Sequence, residues 1–162
     1  MSTLTVTAEP GTPFIDVTRD FRAPRELLLR AHTEPELVKQ WLGPRKYEMV
    51  IDHYDARDGG SYRYEHRDRD GHSYGFHGVF HGPQTVDGLV QTFEYEGAPG
   101  HVSLDSIRFE DLGDGMTRIH GHSVFQTVEA RDAMVEAGMQ SGLEDGYDRL
   151  DELVERLAAP VA

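Results

Sequence analysis

The stretch that decides the fold is residues 128–158, VEARDAMVEAGMQSGLEDGYDRLDELVERLA. At about 100° per residue, its apolar side chains fall on one face of a single long helix, as expected for a helix that packs on a core. The apolar positions are Val135, Met139, Leu143, Leu150, Leu153, Val154 and Leu157. We therefore expect this helix to cover the hydrophobic core of the protein.

Two glycines, Gly142 and Gly146, lie on the same face of the predicted helix. Each interior glycine destabilises a helix by roughly 1 kcal/mol relative to alanine. Two of them on the packing face indicate that the helix surface is hollowed where it meets its partner. Either bulky side chains of the partner fill the hollow or a ligand does, and the sequence leaves both alternatives open.

Length and composition limit the classes of function. A chain of 162 residues is long enough for one well-buried domain, and we expect a single domain over residues 1–162, with residues 1–13 as a loosely ordered extension. The formal charge of -13, from 16 basic and 29 acidic residues, disfavours nucleic acid and anionic membrane surfaces as partners. The sequence has no cysteine, which excludes disulfides and thiolate metal sites.

The N-terminal segment MSTLTVTAEP does not resemble a signal peptide, because it lacks a basic start followed by an apolar core. No run of the sequence approaches the roughly 20 apolar residues that span a bilayer. We therefore expect a cytoplasmic protein with no membrane insertion, and we expect no cofactor.

Upstream of the helix, the sequence predicts a sheet. Residues 14–21 have the composition of a strand, and residues 25–31 then form a short helix after Pro24. Thr33 is expected to cap a second short helix, which ends at Gly43–Pro44. Turn signals rich in glycine, proline and aspartate then separate six apolar-rich segments, which predicts six antiparallel strands joined by hairpins.

Alternation along these strands identifies one buried face of the sheet. The alternating positions are Tyr62 and Tyr64, Phe93 and Tyr95, Ile107 and Phe109, and Ile119 and Phe125. One long helix is the only predicted element able to cover that face. We expect an α+β fold in which a curved, seven-stranded antiparallel sheet surrounds the C-terminal helix, with two short helices after the first strand.

Four segments carry a resemblance to a known family: QWLGP (40–44), DARDGGSYRYE (55–65), FEYEGAPGHVSLDSIRFEDLGDGMTRIHG (93–121) and ARDAMVEAGMQSGLEDGYDRLDELVERL (130–157). In these segments and in the order of its predicted elements, the chain resembles the START-like, or SRPBCC, superfamily. More narrowly, they are similar to bacterial proteins related to the C-terminal domain of the activator of heat-shock protein 90 ATPase. The chain departs from many relatives in one respect, since Trp41–Leu42 stands where two aromatic residues often precede Gly-Pro.

The resemblance implies a helix-grip fold with a cavity between the sheet and the long helix. Many members of this superfamily bind lipids, hormones or polyketides in that cavity. Combined with the buried parity of the strands, it gives a set of candidate cavity-lining residues. They are Trp41, Tyr62, Tyr64, His66, His77, Phe93, Tyr95, Asp105, Ile107, Ile119, Met139, Gly142 and Gly146.

Among the nine histidines, His66 and His77 flank a hairpin signal at Asp70–Gly71. A two-residue turn there sets Tyr64 opposite His77 and places Tyr62, Tyr64, His66 and His77 on one face. Phenols and imidazoles in a cavity could orient a polar group or move a proton near neutral pH.

A register shifted by one residue gives the opposite result for His77. It turns Phe76 and Phe80 inward and His77 outward, because successive strand residues point to opposite faces. The sequence leaves both registers open.

Asp105 shares the parity of Ile107 and Phe109, which places a carboxylate on the apolar face of its strand. A buried acid is costly unless it is paired or hydrogen-bonded, so such a residue often marks a functional site. The alternative is that Asp105 lies near the start of the strand and reaches water. No catalytic residue is assigned from the sequence.

The pair His120 and His122 places two rings on one face of a strand, as two ligands of a metal site require. Ile119 and Phe125 mark the buried parity there, so the two histidines are expected to face solvent. We expect no metal site.

Two classes of function follow. The first is a protein that binds a small hydrophobic or amphipathic molecule in the internal cavity, with modest acid–base catalysis as a further expectation. The alternative is a chaperone-associated interaction module, which is less favoured because the sequence is expected to hold one domain without an additional chaperone-binding domain. A homodimer is compatible with a protein of this size.

Overall fold

The structure is a computed structural model that describes residues 2–158. The strands are β1 (Thr5–Thr7), β2 (Phe14–Phe21), β3 (Glu48–Tyr54), β4 (Ser61–Arg67), β5 (Ser73–Thr85), β6 (Gly88–Tyr95), β7 (Val102–Gly113) and β8 (Met116–Val124). The helices are α1 (Arg25–Thr33), α2 (Pro35–Val38), α3 (Val128–Glu136) and α4 (Met139–Ala158).

All strands described in residues 2–158 form one curved antiparallel sheet in the order β1-β2-β8-β7-β6-β5-β4-β3. The expected α+β architecture, a curved sheet around a C-terminal helix, is confirmed. The strand number differs, since eight strands are present where the sequence predicted seven. The additional strand is β1, whose β-branched residues Thr5 and Val6 pair with Thr18 and Val17 at the edge of the sheet.

The predicted single helix over residues 128–158 is divided into α3 and α4 at Ala137 and Gly138. Gly138 has a φ of +82°, in the left-handed region that terminates a helix and that glycine adopts most readily. Its backbone N–H donates to the carbonyl of Val135 at 3.1 Å. Val135 lies near the end of α3 and is 42% exposed, so it does not belong to the buried face as the sequence predicted.

The expected cap at Thr33 is wrong. The Thr33 hydroxyl donates to the carbonyl of Leu29 within α1 at 2.8 Å, as the side chain of a helical threonine commonly does. Glu34 precedes α2 without a side-chain cap, and Pro35 supplies the fixed φ of the first helical position.

The core consists of two clusters. The larger lies beneath the C-terminal half of α4, where Tyr147, Leu150, Leu153 and Val154 pack against the β2–β8–β7 side of the sheet. The smaller is centred on β4 and β5, and its buried members are Tyr62, Tyr64 and Phe80. The two clusters cover different parts of the same inner sheet face.

Polar contacts fix α4 relative to the sheet and to the loop between α2 and β3 (residues 39–47). Arg19 on β2 is buried, and its Nη1 donates to Asp148 Oδ1 at 2.8 Å. The next residue of α4, Arg149, donates from its Nη1 to the carbonyl of Gly43 at 3.0 Å. These contacts hold α4 against both β2 and the loop. None of the helices in the described chain has both the length and the apolar character needed to cross a membrane.

Gly146 on α4 faces the backbone of that loop. A Cβ added at Gly146 would lie 3.3 Å from the backbone nitrogen of Gly43 and 3.3 Å from the carbonyl oxygen of Trp41. The hollow at Gly146 therefore admits main chain, an occupant that neither alternative from the sequence included. A Cβ at Gly142, by contrast, would meet only the ring of Pro44, at an ordinary 3.5 Å.

This difference predicts opposite effects of two glycine substitutions. Gly146→Leu should lower the free energy of unfolding by roughly 1–3 kcal/mol or more, because the side chain overpacks against backbone. Gly142→Ala, the matched control, should hold or raise stability, since it gains up to about 1 kcal/mol of helix propensity. Urea unfolding of both variants and wild type measures the two effects. Equal stability of Gly146→Leu and wild type would contradict the close approach.

Candidate functional site: a cavity between the sheet and helix α4

A cavity of about 470 Å³ lies between the inner face of the sheet and helix α4. It occupies the border between the two core clusters: Ile15 and Tyr147 of the larger cluster line one side, and Tyr62 and Tyr64 of the smaller line the other. Ten of the thirteen residues proposed from the sequence line it. They are Trp41, Tyr62, Tyr64, His66, Phe93, Asp105, Ile107, Met139, Gly142 and Gly146.

His77 lies outside the cavity, so its proposed place there is corrected. The register pairs Arg63 with His77 and Tyr64 with Phe76, which turns Phe76 inward and His77 outward. On the outer face, His77 Nδ1 lies 2.9 Å from Glu96 Oε2. The structure therefore has the second of the two registers that the sequence left open.

The register follows from the length of the hairpin loop. Asp68 and His72 still pair, with the Asp68 N–H donating to the His72 carbonyl at 3.0 Å, so the loop has three residues and not two. Gly71 has a φ of +86°, the left-handed conformation that completes a three-residue hairpin loop. One extra loop residue shifts the pairing by one and reverses the face of each side chain on β5.

Tyr95 and Ile119 also lie outside the cavity, although both are on the predicted inner face. Tyr95 packs on Phe76 with ring centroids 5.2 Å apart, beyond one end of the cavity. Ile119 is fully buried in the larger cluster beneath α4. Alternation identifies the face of a side chain, but not the distance along the strand over which the cavity extends.

A row of polar side chains crosses the cavity floor. Gln91 on β6, Asp105 on β7 and Ser123 on β8 are direct partners across the ladder, so their side chains share the inner face. The Ser103 hydroxyl donates to Asp105 Oδ1 at 3.1 Å, and Ser123 also hydrogen-bonds this carboxyl. Asp105 is half-buried, lies within β7 and lines the cavity.

Burial raises the pKa of Asp105 above its ordinary value, and the hydrogen bonds from Ser123 and Ser103 offset only part of that effect. Within residues 2–158, none of the ion pairs involves this carboxyl. Asp105 is therefore a carboxyl without a cationic partner in an apolar cavity, which is the arrangement in which a carboxyl group gains affinity for a proton or a cation.

The tyrosines of the cavity wall are held neutral. Burial raises the pKa of Tyr62, Tyr64 and Tyr147, and the negative charge of Asp105 contributes in each case. The Tyr62 hydroxyl donates to the carbonyl of Thr92 at 2.6 Å. These phenols therefore give the cavity aromatic surface and neutral hydroxyl groups rather than phenolate anions.

His32 and His66 are buried beside the cavity in neutral form. Burial lowers the pKa of each to about 4, and for His66 the positive charge of Arg149 lowers it further. The Nδ1 of His32 lies 2.7 Å from the carbonyl of Leu28, while His66 hydrogen-bonds the backbone of Leu42. Among the described residues, the Nε2 atoms of both rings lack a hydrogen-bond partner.

Gly43 lies between the His66 ring and helix α4. A Cβ at Gly43 would clash with Cε1 of His66, and the residue has a φ of +92°, so glycine is required on both grounds. Gly146 contacts the same residue from the helix side. The loop that contains Gly43 therefore passes between β4 and α4 at a point where both Gly43 and the facing helix residue, Gly146, lack side chains.

Trp41 forms part of the cavity wall next to this loop. It is 4% exposed, and its indole N–H donates to the carbonyl of Ala31 at 2.8 Å. Its ring stacks on Tyr147 of α4 with centroids 6.0 Å apart. As the single tryptophan of the chain, it provides a fluorescent reporter on the cavity wall.

The His120 and His122 pair is bonded to acidic residues of neighbouring strands. His120 Nε2 lies 2.8 Å from Glu110 Oε1, and His122 Nδ1 lies 2.6 Å from Asp16 Oδ1. Another acidic and histidine group occurs at the hairpin, formed by Asp68, Asp70 and His72. There the Asp68 carboxylate accepts from the backbone N–H groups of Asp70 and His72, which accounts for the cluster as a loop-stabilising contact.

Sequence reasoning missed several residues that line the cavity. The polar positions are Gln91, Ser103, Ser106, Ser123, His32 and His122, and the apolar ones include Ile15, Tyr47, Phe125 and Tyr147. Alternation along the strands did contain a signal for two of the polar residues. Gln91 points to the same face as Phe93, and Ser103 points to the same face as Asp105. Recognising it as one row requires the register between strands, which the sequence does not contain.

Comparisons with known proteins identify relatives of this fold. The family model described as "Activator of Hsp90 ATPase homolog 1-like protein" matches residues 22–155. No curated protein matches the chain.

Solved structures resemble the protein over most of its length. A protein from Rhodobacter sphaeroides has a TM-score of 0.86 at 24% identity, covering 94% of this chain and 99% of that one. A protein from Arthrobacter aurescens has a TM-score of 0.86 at 21% identity, with 95% and 92% covered. One from Mycobacterium smegmatis gives 0.83 at 21% identity, with 97% and 99% covered. At such identities the likeness shows the fold.

The raised pKa of Asp105 predicts a pH-dependent effect of Asp105→Asn. The folded state binds the carboxyl proton more tightly than the unfolded state, so wild type loses this contribution as pH rises through the raised pKa. The non-titrating variant should therefore gain midpoint temperature relative to wild type at about pH 8, and less or none at about pH 4. Thermal unfolding at both pH values measures this. A gain that is larger at acid pH would contradict a raised pKa.

The two buried histidines predict acid destabilisation. Because their folded-state pKa lies at about 4, below the ordinary 6.5, the unfolded state binds more protons between these values, and stability falls as pH drops through that window. His66→Phe removes one of the two imidazoles, so the loss in free energy of unfolding between about pH 7 and pH 4.5 should shrink by roughly 2–3 kcal/mol. Urea unfolding across this range is the measurement. Parallel pH profiles of variant and wild type would overturn the assignment.

Proposed function

We propose that this chain, which belongs to the family of activator of Hsp90 ATPase homolog 1-like proteins, binds a small hydrophobic or amphipathic molecule in the cavity beneath α4. The observation that carries the proposal is the cavity itself. Its volume of about 470 Å³ lies within the range of about 300–1,000 Å³ that is usual for small-molecule sites.

The chemical character of the walls supports the proposal. Most of the lining is aromatic or aliphatic, with Trp41, Tyr64 and Phe93 among its large rings. The polar groups are concentrated in the row that contains Gln91 and Asp105. An apolar enclosure with a few convergent polar groups is the usual form of a small-molecule site, because apolar area supplies affinity and the polar groups orient the ligand.

The rim of the cavity gives a ligand a route to this interior. Pro44, Tyr47, Met139 and Gly142 line the cavity and remain partly exposed to solvent. Tyr47 stacks on His66 with ring centroids 5.7 Å apart, so the loop continues the aromatic wall outward. A ligand with an apolar body could therefore enter between this loop and the first turns of α4.

Modest acid–base catalysis is the finer part of the proposal. Asp105 is the group that would exchange a proton with a bound molecule, because its raised pKa brings it closer to neutral pH. The alternative of a chaperone-associated module has the family's name in its favour and no specific contact, so the ligand-binding function is the one we propose.

Filling the rim of the cavity should weaken binding without unfolding the protein. Wild type should bind the neutral fluorescent probe N-phenyl-1-naphthylamine at one site and transfer energy from Trp41. Gly142→Leu should weaken binding by at least about tenfold, or about 1.4 kcal/mol, because the side chain extends past Pro44 into the cavity.

The matched control is Gly142→Ala, which changes helix propensity in the same direction but adds only a methyl group in ordinary contact with Pro44. Its affinity should stay within about twofold of wild type. The measurement is a probe titration followed by fluorescence, with circular dichroism to verify the fold. A lack of saturable binding by wild type, or equal affinity of the leucine variant, would refute the proposed function.

A further inference from the structure

The charged groups that line the cavity are unevenly distributed. Among the lining residues within the described chain, Asp105 is the one acidic side chain, and no lysine or arginine is present. The buried histidines beside the cavity, His32 and His66, are neutral at pH 7, as their low pKa requires. A third lining histidine, His122, has its Nδ1 2.6 Å from Asp16 Oδ1, so that nitrogen already has an acidic partner. The lining therefore offers a ligand one acidic side chain and no lysine or arginine to pair with an anion.

The hydrogen bonds of Asp105 leave it with unused capacity. It accepts from the Ser103 and Ser123 hydroxyls, whereas a carboxylate offers about four acceptor positions. The next group in its row is the side chain of Gln91, its direct partner on β6. A positively charged donor in the cavity could thus reach the carboxylate without displacing the serine bonds.

The groups facing Asp105 from the packed elements are aromatic. Tyr62 and Tyr64 from β4 and Tyr147 from α4 are near enough for the Asp105 charge to influence their titration. All three are neutral, and the faces of such rings attract cations. A cation placed beside Asp105 would therefore meet a carboxylate on the sheet side and aromatic surface on the helix side and toward β4.

From this arrangement we propose that the ligand is an apolar molecule bearing a protonated amine, with Asp105 as its counter-ion. This rests on the proposed function and deepens it by naming the class of ligand. A carboxylate ligand, by contrast, would bring a second negative charge beside Asp105 in a medium where like charges repel strongly. The formal charge of -13 on the whole chain likewise attracts approaching cationic ligands and repels anionic ones.

The test compares three probes with the same ten-carbon chain, decylamine, decanol and sodium decanoate, each below its critical micelle concentration. Calorimetric and Trp41 fluorescence titrations at pH 7 and physiological salt give their affinities. Decylamine should bind wild type at least about tenfold more tightly than decanol, and decanoate should bind most weakly.

Two variants test whether the preference for decylamine depends on the charge of Asp105. Asp105→Asn should weaken decylamine by at least about tenfold and leave decanol within about twofold. Asp111→Asn removes the same charge from an exposed position on the same strand, so it controls for general attraction of a cation to an acidic protein. It should leave all affinities unchanged within about twofold.

The outcomes separate the two proposals. Absence of binding by all three probes would refute the ligand-binding function itself. Binding of decanol or decanoate as tightly as decylamine would overturn the amine proposal while leaving the binding function in place. Equal losses of decylamine affinity in Asp105→Asn and Asp111→Asn, or no loss in Asp105→Asn, would also overturn it.

Discussion

The structure depends on one geometric constraint: the helices on the inner face must cover a sheet much wider than any one of them. Eight strands spaced about 4.8 Å apart span roughly 34 Å, whereas a helix with its side chains is about 10 Å wide. Helix α4 packs closely along its C-terminal half, at Leu150, Leu153 and Val154. The remaining inner face forms a second cluster of its own around β4 and β5. The cavity lies where these two packed regions meet.

The height of α4 above the cavity is set by the loop that passes beneath it. Gly43 is contacted by Gly146 of the helix and by the His66 ring of the sheet, and Arg149 hydrogen-bonds its carbonyl. Backbone, not side chain, is therefore the spacer between helix and strand at this point. The buried Arg19 also holds the same helix to β2 through Asp148. With α4 held to both the loop and β2, these contacts maintain the space beneath the helix.

The sequence was sufficient to predict the architecture and which face of each strand is buried, since both follow from periodicity. Tyr62 and Tyr64 lie on the inner wall for that reason. Periodicity could not predict how far the cavity extends along a strand, and so Tyr95 and Ile119 were wrongly included. Periodicity also could not distinguish one long helix from two consecutive helices, because the apolar pattern continues on both sides of the break at Gly138. The polar row on the cavity floor depends on pairing between three strands, which is a long-range property.

The location of the cavity between two separately packed clusters also matters for how such a protein can evolve. Residues at the border, such as Phe93, Ile107 and Met139, are absent from the fully buried core of either cluster. Substitutions there remove fewer packing contacts than substitutions of Leu150 or Phe80, so they consume less of the narrow stability margin that limits most mutations. A lineage can therefore change the molecule that it recognises by exchanging border residues while the scaffold that positions them is inherited intact.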